Sequence, residues 1–140
     1  MDLTQIRPEE IERVNREHFD KVAADGTYDN HPFVEQVSRQ IAQTIRDVYP
    51  FDEQSTLLLD YACGTGQISR NLAPYTKKIV GVDISQGMVD YYNQRVYNQG
   101  ISQDEMKAFC VQLTGADTDL DGQKFDIIVV STLTYLEKIF

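Results

Sequence analysis

Several things are scarce in this sequence, and each scarcity excludes something. There are only two cysteines, Cys63 and Cys110, too few for a disulfide framework. Both stand in apolar or glycine-rich surroundings, as reduced thiols do. There are only two histidines, His18 in a helical pattern and His31 before a proline. With no cysteine cluster beside them, no metal site is expected. Basic residues are outnumbered, 13 Lys and Arg against 22 Asp and Glu, for a net charge of −9. Such a surface repels phosphate backbones, and the longest basic run is Lys77-Lys78, so nucleic acid is not an expected partner. No apolar run approaches the ~20 residues of a membrane span. The N-terminal stretch MDLTQIRPEEIERVNREHFD is acidic and lacks an apolar signal core. The expectation is a cytoplasmic protein away from membranes, with a nuclear location left open. Internal repeats and low-complexity tracts are absent too.

What remains is a chain of 140 residues with 41% apolar content, enough for one domain with a core. Pro8 to about Ala24 reads as a helix. Proline suits its first turn and Glu9, Glu10 and Glu12 suit its positive end. Ile11, Val14, His18 and Val22 fall on one face. ADGTYDNHP breaks that helix. A second runs from about Pro32 to Tyr49 with the stripe Val34, Val37, Ile41, Ile45 and Val48, and Pro50 stops it.

The grammar then changes. STLLLDYA is a short continuous apolar run, as a buried parallel strand should be. GQISRNLAPY reads as a short helix and KKIVGVDIS as a second strand. SQGMVDYYNQRVYNQG reads as a helix with Ser85 as N-cap and Gly100 as C-cap. A brief turn at Ser102–Glu105 leads to a third strand, MKAFCVQLT. A loop with a turn at Asp121-Gly122 leads to a fourth, FDIIVVST. Alternating strands and helices imply right-handed crossovers and a parallel sheet. The expected order is 3-2-1-4, the first half of a doubly wound α/β fold, with its ligand crevice opening between strands 1 and 4. Residues 1–50 are expected to form a helical cap and residues 51–140 the sheet-bearing half domain, together one compact unit.

Ala62-Cys63-Gly64-Thr65-Gly66 joins the first strand to its helix. Gly64 and Gly66 permit close backbone approach, and the helix start offers free N–H groups. Asp83 ends the second strand, where a carboxylate can accept two hydrogen bonds from a ribose diol. Two ligand classes fit so far: a dinucleotide, or S-adenosylmethionine. Asp60, four residues before Gly64, would repel a pyrophosphate but suits a cationic methionine end, met directly or through water. The dinucleotide fingerprint also wants a third small residue where Ser69 stands. Both departures point away from a nicotinamide cofactor.

The stretch LLLDYACGTGQISRNLAPYTKKIVGVDISQGMVDYYN resembles the cofactor core of class I S-adenosylmethionine-dependent methyltransferases. It is most like the ubiquinone/menaquinone-biosynthesis type and their fungal small-molecule relatives. The preceding EHFDKVAADGTYDNHP resembles the segment that caps the cofactor in those enzymes. The resemblance implies a Rossmann-like fold. It also implies that Asp60, Ala62, Gly64 and Gly66 line the methionine moiety, that Asp83 binds ribose, that Ile84 packs on adenine and that Met88 borders the same pocket. A polar contact to the adenine amino group is expected after strand 3, from Gln112 or else Asp117. Ala62 stands where the family more often has glycine, a mild change if the turn needs no positive φ there. Phe19 and Tyr28 are candidates to cover the cofactor, or ordinary packing residues.

The family fold has seven strands and this chain supplies four, so a C-terminally truncated form is expected. Thr134 and Tyr135 occupy the neighbourhood that borders the transferred methyl group in relatives. Methyl transfer depends chiefly on alignment, which contributes on the order of 7–11 kcal/mol, so a half-built acceptor pocket would forfeit much of the rate. The edge of FDIIVV would be an unpaired apolar strand, open to self-association or a partner chain. The leading expectation is an S-adenosylmethionine-dependent methyltransferase acting on a small organic methyl acceptor. The competing ones are a non-catalytic cofactor-binding or interaction module assembled through that edge, and a nucleotide-dependent oxidoreductase.

Overall fold

The computed structural model describes residues 7–26, 29 and 31–130. Two N-terminal helices, α1 (Pro8–Asp25) and α2 (Pro32–Val48), precede the sheet. Then come β1 (Leu57–Tyr61), α3 (Gln67–Leu72), β2 (Lys78–Asp83), α4 (Gln86–Asn98), β3 (Met106–Cys110) and β4 (Ile127–Val130). The four strands form one parallel sheet in the order β3-β2-β1-β4, as the alternation of elements predicts.

The strands are short runs rich in apolar residues, and the central two, β1 and β2, are buried on both faces over most of their length. Leu58, Ile79, Met106, Ala108 and Val129 share one face with Ile68 and Leu72 of α3, Val89, Tyr92 and Val96 of α4, and Ala42 of α2. The second face carries a smaller cluster, Leu59, Val80 and Val82, against Leu113, Leu120 and Phe125. β3 is an edge strand, and α4 covers part of that edge. Asn93 accepts from Ala108 N at 2.9 Å and donates to Ala108 O at 3.0 Å. This is one way of blunting a free strand edge.

α2 packs along α3. Its stripe is as expected at Val34, Val37, Ile41 and Ile45, which are half-buried, but Val48 is 78% exposed. α1 departs from the reading of its periodicity. Ile11 and Val14 are 49% and 51% exposed and His18 is exposed. The inward face instead carries Asn15, Phe19, Asp20, Val22 and Ala23. The reason is that α1 is held by a polar contact. Asp20 Oδ1 accepts from Ser85 Oγ at 2.6 Å and from Gly87 N at 3.0 Å, at the start of α4. That contact rotates the helix away from its apolar stripe. Gly87 lets it come close, since a methyl group there would lie 3.0 Å from Ala23 Cβ. The hydroxyl of Ser85 also accepts from Met88 N at 3.2 Å, as an N-cap should. No helix among the described residues is long and apolar enough to cross a membrane.

Candidate cofactor site

The glycine turn leaves β1 at its C-terminal end and enters α3. Its backbone is left-handed at three points: Ala62 (φ 57), Gly64 (φ 54) and Gly66 (φ 85). The expectation that Ala62 stands where no positive φ is needed is therefore corrected. The turn does need one, and alanine adopts it at an exposed position, at a cost glycine would not meet. The turn is pinned to β2 by Cys63 N donating to Val82 O at 3.0 Å. It is pinned again by Gly64 N donating to Asp83 Oδ2 at 2.8 Å.

The two glycines differ in what they accommodate. A methyl group on Gly64 would meet nothing within 4 Å, whereas one on Gly66 would lie 2.7 Å from the Tyr92 ring. Tyr92 is 1% exposed, beneath the turn. Gly66 thus serves the packing of α4 under the turn, not only the space in front of it.

Asp83 sits at the end of β2, half-buried. Oδ1 accepts from Ser85 N at 3.0 Å and Oδ2 from Gly64 N at 2.8 Å. Each carboxylate oxygen has a second lone pair, so the group can accept two further donors. Ser85, not Asp83, takes the N-cap role on α4.

Asp60 lies behind the turn, 1% exposed. Ser69 Oγ donates to its Oδ2 at 2.5 Å, which explains a serine at that position of α3. Oδ1 and the Tyr92 hydroxyl are buried with no hydrogen-bond partner among the described residues. Burial raises the Asp60 carboxyl to about 7, opposed by the Ser69 hydrogen bond and reinforced by the charge of Asp83. Burial also pushes the Cys63 thiol and the Tyr92 phenol well up. Of the two routes expected for Asp60, direct contact with a ligand finds almost no exposed carboxylate. Its influence must pass through the turn.

Beyond β2 and β3 a cleft of about 310 Å³ is lined by Arg16, Ile84, Gln86, Cys110, Val111 and Gln112, at the low end of the size range of small-ligand sites. Ile84 and Gln112 are brought together as the resemblance implies. Asp117 is not: its side chain is fully exposed in the β3–β4 loop and pairs with Lys124 at 3.4 Å. Met88 is 2% exposed and does not line the cleft. Phe19 is half-buried on the inward face of α1. The cleft lies at the C-terminal ends of β2 and β3; the crevice expected between β1 and β4 would adjoin residues 131–140, which lie outside the described residues. Tyr28, Thr134 and Tyr135 lie outside the described residues.

Four residues were missed by sequence reasoning. Arg16 of α1 reaches the cleft. Asp20 docks α1 on α4, and the Ser85 hydroxyl and Gly87 N–H hold its carboxyl below the usual range. Asp29 and Arg95 meet at 3.0 Å beside the turn. The only local signal was a pair of aspartates, Asp20 and Asp29, each following an aromatic. Their partners are 65 and 36 residues away, beyond any local pattern.

A strand, a left-handed turn pinned to an acid on the next strand, and a cleft beyond it thus lie together at the C-terminal ends of β1, β2 and β3. The family model for the methyltransferase domain matches residues 58–139. The chain belongs to that family. Its fold is that of the class I S-adenosylmethionine-dependent methyltransferases. Magnesium protoporphyrin IX methyltransferase from Synechocystis, crystallised with bound S-adenosylmethionine, superposes with a TM-score of 0.65 at 19% identity. The match covers 85% of this chain and 60% of that one. An uncharacterized methyltransferase of Schizosaccharomyces pombe is 43% identical over 77 residues, 53% of this chain and 27% of its own length. Methyltransferase tpcH of Aspergillus fumigatus is 33% identical over 101 residues, 65% of this chain and 36% of its own. A demethylmenaquinone methyltransferase of Symbiobacterium thermophilum is 36% identical over 103 residues, 64% of this chain and 36% of its own. The methyltransferase domain described here therefore matches about a third of the length of these relatives, and they do not single out one acceptor class.

Proposed function

We propose that the chain is the cofactor-binding half of an S-adenosylmethionine-dependent methyltransferase whose complete site methylates a small organic molecule. One observation carries the reading: the Asp83 carboxylate is fixed against the glycine turn with lone pairs to spare, and its chain neighbour Ile84 and the Val111 that bonds its backbone carbonyl both line the cleft. The donor set fits the cofactor. A carboxylate with open acceptor positions suits a vicinal diol. Apolar walls ending in an amide suit a purine with an exocyclic amine. Arg16 is the one basic residue lining the cleft among the described residues, fewer than a pyrophosphate would favour.

Asp83 holds the ribose, Ile84 and Gln112 the adenine, and the turn at Ala62, Gly64 and Gly66 the methionine end. Asp60 supports the turn from behind through its contact with Ser69 of α3. The bound cofactor would supply an already activated methyl group. The chain's own contribution is to hold it still, so that an acceptor can approach in line. The demethylmenaquinone methyltransferase, a relative named for a small organic substrate, supports a small organic acceptor.

A second reading, a non-catalytic module assembled through the sheet, is favoured by one feature. Tyr61, Phe109, Ile128 and Val130 are 40%, 41%, 61% and 59% exposed. In a parallel sheet such side chains are ordinarily covered. Calorimetry with S-adenosylmethionine, S-adenosylhomocysteine and NAD, joined to a radiolabelled-methyl assay, tests both. Tighter binding of NAD refutes the methyltransferase reading. Cofactor binding without transfer to any acceptor, by the complete protein, favours the module.

A further inference from the structure

The cofactor reading leaves one deeply buried carboxylate without a role. The Asp29 side chain is 1% exposed. Its Oδ1 accepts from Thr65 Oγ1 and from Gln67 Nε2, both at 2.5 Å. Thr65 and Gln67 flank Gly66, the left-handed residue that turns the chain into α3. Its Oδ2 faces Arg95 of α4 at 3.0 Å and Arg70 of α3 at 3.8 Å. A single carboxylate, from a segment preceding α2, thus ties together the turn and the helices on either side of it.

The chemistry of the neighbours explains why a charge is kept there. Thr65 and Gln67 are 3% and 8% exposed. A hydroxyl and an amide at that depth need an acceptor. A carboxylate offers a stronger one than a backbone carbonyl, and the flanking guanidinium groups offset the cost of burying it. The contacts on Oδ1 go to the turn, and those on Oδ2 go to the arginines. The two functions of the group are therefore separable.

We propose that Asp29 is a positioning residue for the glycine turn. By clasping Thr65 and Gln67 it holds the turn in its ligand-ready shape before the cofactor arrives. Asp29 itself touches no ligand; it acts through the backbone between Gly64 and Gln67. The inference rests on the cofactor reading above and adds to it a residue outside the family's glycine motif.

The test combines calorimetry against S-adenosylhomocysteine with hydrogen exchange of the turn amides, on the full chain and its variants. Thr65→Val should weaken binding about tenfold, the value of one charge-assisted hydrogen bond, and Asp29→Ala, which loses both turn contacts, by at least as much. The double variant should bind little worse than the weaker single, because both remove the same clasp. Asp29→Asn, which keeps an oxygen for the turn but not the charge facing the arginines, should recover part of the affinity. Exchange at residues 64–67 should speed up in Asp29→Ala while the β1 and β2 amides stay protected. Unchanged affinity in both singles, fully additive losses, or faster exchange spread evenly over the domain would overturn the proposal. If Asp29→Ala fails to fold, Thr65→Val and Gln67→Met read the same clasp from the turn side. If the unaltered chain binds no S-adenosylhomocysteine, the cofactor reading fails. Local exchange at the turn then still decides whether the clasp exists.

Discussion

Asp60→Asn is the substitution whose effect follows most directly from the structure. The carboxyl is 1% exposed beneath the turn, with one oxygen on Ser69 and the other without a partner among the described residues. Burial lifts it from an ordinary 3.8 to about 7. The folded chain therefore holds this proton more tightly than the unfolded chain, and between pH 4 and 7 it binds more of it. Stability must then fall as pH rises through that window and level off above it. The window spans about three pH units at roughly 1.4 kcal/mol each, so the ceiling on the effect is on the order of 4 kcal/mol. Asparagine has nearly the same shape and cannot ionise. It should match the unaltered chain near pH 4 and exceed it increasingly toward pH 8. Asp20 has the opposite sign, since its carboxyl is held low by Ser85 and Gly87. It contributes equally to both proteins and cancels in the difference. Urea unfolding followed by circular dichroism at pH 4, 5, 6, 7 and 8 provides the measurement. Parallel stability curves for the two proteins would show that Asp60 is ionised throughout and that the buried oxygen is solvated after all.

Asp83→Ala should remove charge-assisted hydrogen bonds worth roughly 1.5–3 kcal/mol, lowering affinity for S-adenosylmethionine about ten- to a hundredfold; an unchanged dissociation constant by calorimetry would remove Asp83 from the site. Ala62→Gly relieves a left-handed alanine (φ 57) at an exposed position, so the urea midpoint should rise, by up to about 1 kcal/mol in stability. The glycines should separate: Gly64→Val should fold and lose cofactor binding, while Gly66→Val, whose Cβ would lie 2.7 Å from the Tyr92 ring, should fail to give a cooperative thermal transition. Ile128→Lys should lower any self-association seen in light scattering, because Ile128 is 61% exposed on the same sheet face as the exposed Tyr61 and Val130; an unaltered chain that stays monomeric at high concentration would show that this patch is tolerated by itself.

The sheet order, the glycine turn and the helix ends were legible from the amino-acid sequence because their causes are local. Apolar runs of five or six residues make buried strands, Ser85 caps its own helix, and Gly100 closes it in a left-handed conformation (φ 70). Asp83 was legible for the same reason, since strand end and turn are linked by one short helix. Other features were decided only in three dimensions. The inward face of α1 is set by Asp20 reaching Ser85 and Gly87 of α4, against the helix's own apolar stripe. The positive φ at Ala62 is imposed by a turn pinned from β2. The raised carboxyl of Asp60 depends on the depth at which α3 and α4 close over it, and the clasp of Asp29 joins residues more than thirty positions apart. A local pattern records which backbone state a residue prefers. Where a charge ends up, and what it meets there, depends on which distant elements pack over it.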